Sequence, residues 1–421
     1  MKIPTPIPVT EGRAIVRKTV KPGRVETVNV LDAIGRVLAE DLFSDIDVAP
    51  FDDSGMDGFG VVAADLDAAT ADAPVQLECV AHIGAGDVYE GVVGPGQTVR
   101  IMTGAMVPDG VDAVVKIEDV TYEGDGSVGS LIGFSAPTKP GANIRLAGEE
   151  TKAGEKVMEA GEVITAAGAG LLATCGNLQV SVYARPKVGI ISIGSELVDA
   201  TEKPGKGMIR NSNIWAMQAY IAQAGGIAVP YPTVADDVDA IKAVYLKAVE
   251  ECDMVVSTGG ACLGDFDLTG DILRELGEML FERCNVKPGK SQPFGLINGK
   301  PVFVLSGNPA ASSVGFELYA RLAMRIMQGY KELDRPTIQA RVQSDVNKRD
   351  PRLFLERGIF AQAADGTFEV TLLKKQSSAL FGALQHCNCL AIIPEGTEGV
   401  KAGDMVTCIV ISADESMPLR A

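Results

Sequence analysis

The sequence predicts a multidomain chain of the α/β plus β class. It combines a split helical domain carrying a β-rich insertion, a three-layer α/β domain, and a C-terminal β barrel or sandwich. Three observations predict it. Between residues 187 and 327 apolar strands alternate with segments of helical spacing, which implies parallel strands covered on both faces. Residues 46–140 are rich in Gly, Val and Asp, and their short runs are separated by turns. Beyond Arg335-Pro336 the runs are strand-like again, with turns at Asp365-Gly366 and Pro394-Glu395-Gly396. With 421 residues the chain has room for about three domains.

The elements follow in order. Residues 1–45 hold a short helix, Glu11–Thr19, and an amphipathic segment around Val30–Leu42. Residues 141–180 return to helix at Ile164–Cys175, closed by Gly176. These two stretches form the helical domain, and 46–140 is its β insertion. The α/β domain spans 181–332. Its strands are Lys187–Ser192, Ile227–Val234, Met254–Ser257 and Pro301–Leu305. Its helices are Ile214–Ala224, Asp237–Cys252, Leu268–Met279 and Ser312–Met327, the first with an N-cap at Asn211-Ser212-Asn213. Residues 333–421 form the last β domain.

A net charge of −17 argues against nucleic acid or an anionic membrane surface as partner. No run approaches the ~18 apolar residues of a membrane span. The N-terminal stretch has no signal-peptide core, and the eight cysteines are scattered as reduced thiols would be. Together these suggest a cytoplasmic protein. His386, Cys387 and Cys389 have metal-ligand chemistry, but CLAIIPEG beside them reads as a strand, which favours packing over zinc. With only His82 and His386, and no GxSxG, a serine-hydrolase triad is not expected.

Chemistry concentrates where the strands of the α/β domain end. One runs into Ser192-Ile193-Gly194-Ser195-Glu196, another into Ser257-Thr258-Gly259-Gly260, a third into Ser306-Gly307-Asn308-Pro309. Small residues with free N–H groups at a strand end cradle phosphates and oxyanions. Lys287-Pro288-Gly289-Lys290 adds two cations. Glu196, Asp236, Asp265 and Asp267 add carboxylates, which beside phosphate donors point to magnesium. Asp265 and Asp267 could equally cap the following helix. In the insertion, Pro50–Phe59 (PFDDSGMDGF) and Arg100–Ala105 form a second cluster, equally readable as an Asp-rich turn.

These residues together resemble the molybdopterin molybdenumtransferase family, the MoeA proteins and the gephyrin E domain. PFDDSGMDGF, RIMTGAMVPDGVDAVVKIED, GANIRLAGEE, ISIGSEL, STGG–x3–GDFD, VKPGK and SGNPAAS follow in family order over essentially the whole chain. The resemblance implies that molybdate is inserted into adenylylated molybdopterin and that AMP is released. It implies a homodimer whose sites join two subunits, and exchange with an adenylyltransferase and molybdoenzyme clients. Ser257, Gly259, Gly260, Asp265, Gly307, Asn308 and Pro309 would hold pterin phosphate and nucleotide. Glu196, Asp236 and Asp267 would position magnesium or water, with Glu196 and Asp267 as metal ligands. Lys287 would stabilise charge on the pyrophosphate. Lys290, Arg352 and Ser378 would bind molybdate, and Asp57 and Thr103 would complete the site across the dimer.

The chain departs from the family pattern in places. GGACLGDFD stands for the usual GGVSVGDYD, and LSGNPAAS for LPGNPVS, so Ser306 replaces a proline and Ala311 a serine, with Ser312 adjacent. Asp53 and Gly55 replace an asparagine and an alanine, and Arg283 sits where lysine is common. Two alternatives accompany the insertase reading. One is a molybdopterin-binding scaffold or chaperone without turnover. The other is a nucleotide pyrophosphohydrolase on a similar α/β domain, which would leave PFDDSGMDGF and the final β domain unexplained.

Overall fold

The structure is a computed structural model that describes residues 5–260 and 268–412. Two compact units form, one from residues 1–26 with 182–421 and one from residues 27–181.

The first unit is built on a six-stranded sheet: β1 Lys187–Ser192, β2 Ile227–Pro230, β3 Met254–Thr258, β4 Glu278–Arg283, β5 Ser291–Ile297 and β6 Lys300–Leu305. Their order is β2-β1-β3-β6-β5-β4. The first four in that order are parallel, and β5 and β4 are antiparallel. Successive residues of the buried strands serve opposite faces. Val188, Ile190, Met254 and Val256 pack with Met217, Ile221, Phe316 and Met324. Ile191, Val255, Val302 and Val304 pack with Ile241, Tyr245, Val249 and Ile272. Helices therefore cover both faces, and an unbroken apolar run such as KVGIIS is what a strand buried on both sides requires.

Local chemistry sets the helix ends. The Asp237 carboxylate accepts from Ala240 N at 2.8 Å to start Val238–Glu251. Pro309 opens the helical run that continues to Met327, through a π turn at Phe316–Ala320. One helix is shorter than expected. It spans Leu268–Leu276, because Gly277 stands where a Cβ would lie 1.9 Å from Leu296 O, and Met279 already belongs to β4. β4 and β5 are the two strands that alternation of α and β did not reveal, and they make the sheet mixed rather than parallel.

The C-terminal part of this unit is a closed five-stranded barrel. Thr337–Val342, Phe368–Leu372, Leu353–Gln362, Cys389–Ile393 and Met405–Val410 pair in that order, and the last pairs back to the first. Closure leaves these strands no open edge. Its core includes Val342, Phe354, Phe360, Cys389, Ile393 and Cys408.

The second unit holds a six-stranded sheet in the spatial order Ala113–Lys116, Gly58–Val61, Gln97–Ile101, Val75–Ile83, Leu131–Phe134, Val120–Tyr122. Phe59, Leu77, Ile132 and Phe134 form its core. Short ribbons accompany it, Leu42–Phe43 with Lys156–Met158 and Asp53–Ser54 with Ile144–Arg145. The amphipathic segment over 30–42, expected within a helical domain, is not a helix. Val30, Ala33, Val37 and Leu38 are buried at helix-like spacing. But Gly35 adopts φ +76°, and the backbone N–H groups of Gly35 and Leu38 bond across to Ile164 O and Glu162 O. Ala166–Thr174 is the one α-helix described in this unit, started by Thr165 Oγ accepting from Gly168 N at 3.0 Å. The other expected helix, observed as Val9–Thr19, packs its Val16 into the core of the first unit.

Candidate functional site

The three glycine-bearing strand ends lie side by side. β1, β3 and β6 are neighbours, so the turns after Ser192, Thr258 and Leu305 leave the same edge of the sheet. Backbone approaches backbone closely there. Gly259 has φ +92° and donates to Leu305 O at 3.2 Å, and a Cβ on it would stand 2.0 Å from Ile193 O. A Cβ on Gly307 would meet Gly259 Cα at 3.4 Å. No side chain fits at 259, which leaves bare peptide facing the edge. Gly260 follows at φ +67°. Asn308 N donates to Ser306 Oγ at 3.2 Å, and the Asn213 amide donates to Gly307 O at 2.8 Å.

The carboxylates differ in their engagement. Asp236 accepts from both N and Oγ of Ser195 at 2.9 Å, while its own N–H donates to Ser195 Oγ at 3.0 Å. It fastens the loop after β1. Glu196 is exposed, with Oε2 only 2.6 Å from where a Cβ on Gly194 would be. Asp265 and Asp267 lie outside the described residues.

Ser257 corrects an expectation. Its side chain is fully buried, and its hydroxyl accepts from Tyr245 in the core behind the sheet edge. Strand alternation turns it away from the loop surface, so its hydroxyl serves packing.

Beside the edge opens a cavity of about 600 Å³ whose lining includes Lys287, Lys290, Ser306, Asn308, Arg352 and Ser378. Three cations and several hydroxyl and amide groups thus face one space. Residues 286 and 287 pair in parallel with Leu353 and Phe354 of the barrel, which carries Arg352 alongside Lys287. Lys287 Nζ sits 4.4 Å from the centre of the Phe354 ring. Ser378 O accepts from Ala310 N at 2.8 Å, fastening the barrel loop to the helix that Pro309 opens.

Arg352 is itself anchored. Its Nε lies 2.9 Å from each oxygen of Asp350, its Nη2 also donates to that carboxylate, and Nη1 donates to Val286 O at 3.3 Å. This bonding to Arg352 holds the Asp350 carboxyl down to about 2, against its partial burial. Sequence reasoning missed Asp350, Gln376 and Ser377. The signal for Asp350 was the run Arg349-Asp350-Pro351-Arg352, an acid two residues before the arginine. Of the departures, Ser306 puts a hydroxyl on the cavity, and Ala311 lines it without one. Ser312 does not substitute for it, because it is buried and donates to Pro309 O at 2.9 Å.

In the second unit Asp57 and Thr103 come together although 46 residues apart. Asp57 Oδ1 accepts from Thr103 N and Oγ1 at 2.7 Å each. Both residues are exposed. The neighbouring acids are structural. Asp53 is buried and takes Arg145 Nε at 2.7 Å, and Asp52 takes Ala147 N at 2.7 Å. PFDDSGMDGF is thus a fastened segment in which Asp53 is buried while Asp52 and Asp57 are exposed.

Comparison with known proteins identifies the family. Residues 7–176 match the family model for the MoeA N-terminal region (domain I and II), 189–325 that for a probable molybdopterin binding domain, and 339–411 that for the MoeA C-terminal region (domain IV). A molybdopterin molybdenumtransferase of Staphylococcus aureus (strain COL) is 35% identical over 97% of this chain and 96% of its own length. The chain belongs to the molybdopterin molybdenumtransferase (MoeA) family. A Staphylococcus epidermidis (strain ATCC 12228) member is 34% identical, covering 97% of each. Among solved members, a MoeA protein of Pyrococcus horikoshii superposes with a TM-score of 0.82 at 30% identity, over 97% of this chain and 100% of that one.

Proposed function

We propose that this enzyme inserts molybdate into adenylylated molybdopterin and releases AMP. As a family member it is a transferase of molybdenum cofactor biosynthesis. The finer reading is supported above all by one observation: three cations share a cavity with the turn that opens the Pro309 helix, next to the bare peptides of Gly259 and Gly260. Molybdate is a compact dianion, and Lys290, Arg352 and Ser378 offer it charged and neutral donors. The strand-end N–H groups and Asn308 suit the phosphates of the pterin nucleotide.

Water attacks the phosphorus of the AMP moiety as its bond to the bridging oxygen breaks, so AMP departs with the new oxygen and the other phosphate stays on the pterin. Negative charge grows on that bridging oxygen. Lys287, held over the Phe354 ring, would stabilise it. Asp236 acts by holding the loop that carries Glu196. Among the described residues no group of three ligating side chains could hold a metal on its own. Magnesium usually takes one or two carboxylates and completes its shell with substrate phosphate and water. Glu196, exposed at the strand edge, fits that mode, with Asp267 as the second carboxylate. When bound, the ion would neutralise pyrophosphate charge.

Asp57 and Thr103 are assigned to the site supplied by a second copy of the chain, which makes the working form a homodimer. None of the described helices is long and apolar enough to cross a membrane. We place the reaction in the cytoplasm, where an adenylyltransferase would deliver substrate and molybdoenzymes would collect product. The test is AMP release from adenylyl-molybdopterin with and without molybdate and magnesium. Release stimulated by molybdate, with molybdenum retained on the pterin, is expected. Tight binding without AMP would overturn turnover in favour of a scaffold.

A further inference from the structure

Asp350 lines no part of the substrate cavity, yet it engages the cation most deeply tied into the cavity wall. Arg352 presents three nitrogens. Nε and Nη2 are turned to the two oxygens of Asp350, and Nη1 to Val286 O. The Arg352 backbone N–H also donates to Asp350 Oδ1 at 3.1 Å. A dianion entering the cavity therefore meets a guanidinium that already carries a counter-charge on its far side.

The charges around the cavity can be followed outward. Lys287, Lys290 and Arg352 line it. Behind them Lys348 is buried, with Nζ bonded to Arg352 O at 2.6 Å and to Pro394 O, and it feels both Asp350 and Glu395. Buried Arg357 adjoins Glu356, whose carboxyl is pushed up by burial. Lys348 feels Asp350 more than Glu395, and Arg357 feels Glu356. Among the described residues the cavity lining holds three cations and no carboxylate, and the one carboxylate bonded to any of these cations is that of Asp350, an excess that matches one dianion.

We propose that Asp350 is a specificity-determining residue that sets the charge selectivity of the oxyanion cavity, matching it to a tetrahedral dianion. The proposal rests on the reading of this cavity as the molybdate site. Two effects of Asp350 must be separated. It immobilises Arg352, which favours every oxyanion of the same shape equally. It also repels the anion, and that repulsion scales with anion charge. The first effect cancels in a ratio of affinities between isosteric anions of different charge, and the second survives. Without Asp350 the cavity would lean toward more highly charged anions, pyrophosphate among them.

The experiment uses the full chain and two tetrahedral probes of similar size, molybdate (2−) and perrhenate (1−), titrated calorimetrically at fixed ionic strength. In Asp350→Asn the preference for molybdate over perrhenate should rise on the order of fivefold, from one unit of charge at an effective dielectric between protein surface and water. Asp350→Glu keeps the charge and should keep the wild-type ratio. An unchanged ratio in Asp350→Asn, or loss of both anions in that variant, overturns the proposal. Arg352→Gln tests the underlying reading separately. If it binds both probes with wild-type strength, the cavity is not the oxyanion site. If it loses both, the cavity stands and the Asp350 ratio alone decides.

Discussion

Asp57 takes two hydrogen bonds from a single residue, the N–H and the hydroxyl of Thr103, both on Oδ1. The backbone bond does most to hold the carboxyl below its ordinary value of 3.8, with the hydroxyl next and the Arg100 charge contributing least. A lowered value in the folded state means the contact stabilises fully above the ordinary value. That contribution fades as pH falls through the lowered one, below about pH 4. Thr103→Ala keeps the N–H and removes the hydroxyl. The Asp57 titration, followed by carboxyl NMR, should move part of the way up toward 3.8. A titration identical to wild type would show the hydroxyl to be idle.

Ser257→Ala separates packing from ligand binding. Tyr245 would lose the acceptor for its buried hydroxyl, at a cost of about 1–2 kcal/mol. Urea denaturation should show that loss, and the KM for adenylyl-molybdopterin should stay at its wild-type value. A raised KM with unchanged stability would return Ser257 to the phosphate site.

Gly259→Ala is expected to be severe. The new methyl would have to displace Ile193 O from 2.0 Å, in a backbone conformation that alanine adopts at a cost of about 1–2 kcal/mol even in open space. The loops after β1 and β3 would part, and stability should drop by about 3 kcal/mol or more together with AMP release. Wild-type stability in this variant would mean that the close approach is not needed.

The α/β core was the most legible part, because runs such as KVGIIS and MVVST can only be strands buried on both sides. β4 and β5 were harder. Glu278–Arg283 continues the charge texture of the helix before it, and Ser291–Ile297 carries a proline and a glycine. Residues 30–42 misled through burial at helix-like intervals, with Gly35 the sign against it. Within the candidate site, glycines at strand ends and the KPGK loop announced themselves by residue type. Asp350 and Ser257 did not. One acts through a partner two residues away, and the other faces inward by the parity of its strand, which no motif records.

The pairing of Val286-Lys287 with Leu353-Phe354 has a consequence for how the protein comes into being. Two of the cations, at 287 and 290, leave the ribosome well before the third at 352, which Asp350 anchors and Val286 O ties to the loop. A nascent or truncated chain ending before the barrel would carry the strand-end turns but not the completed oxyanion cavity. The third cation of the cavity is therefore a property of finished chains alone.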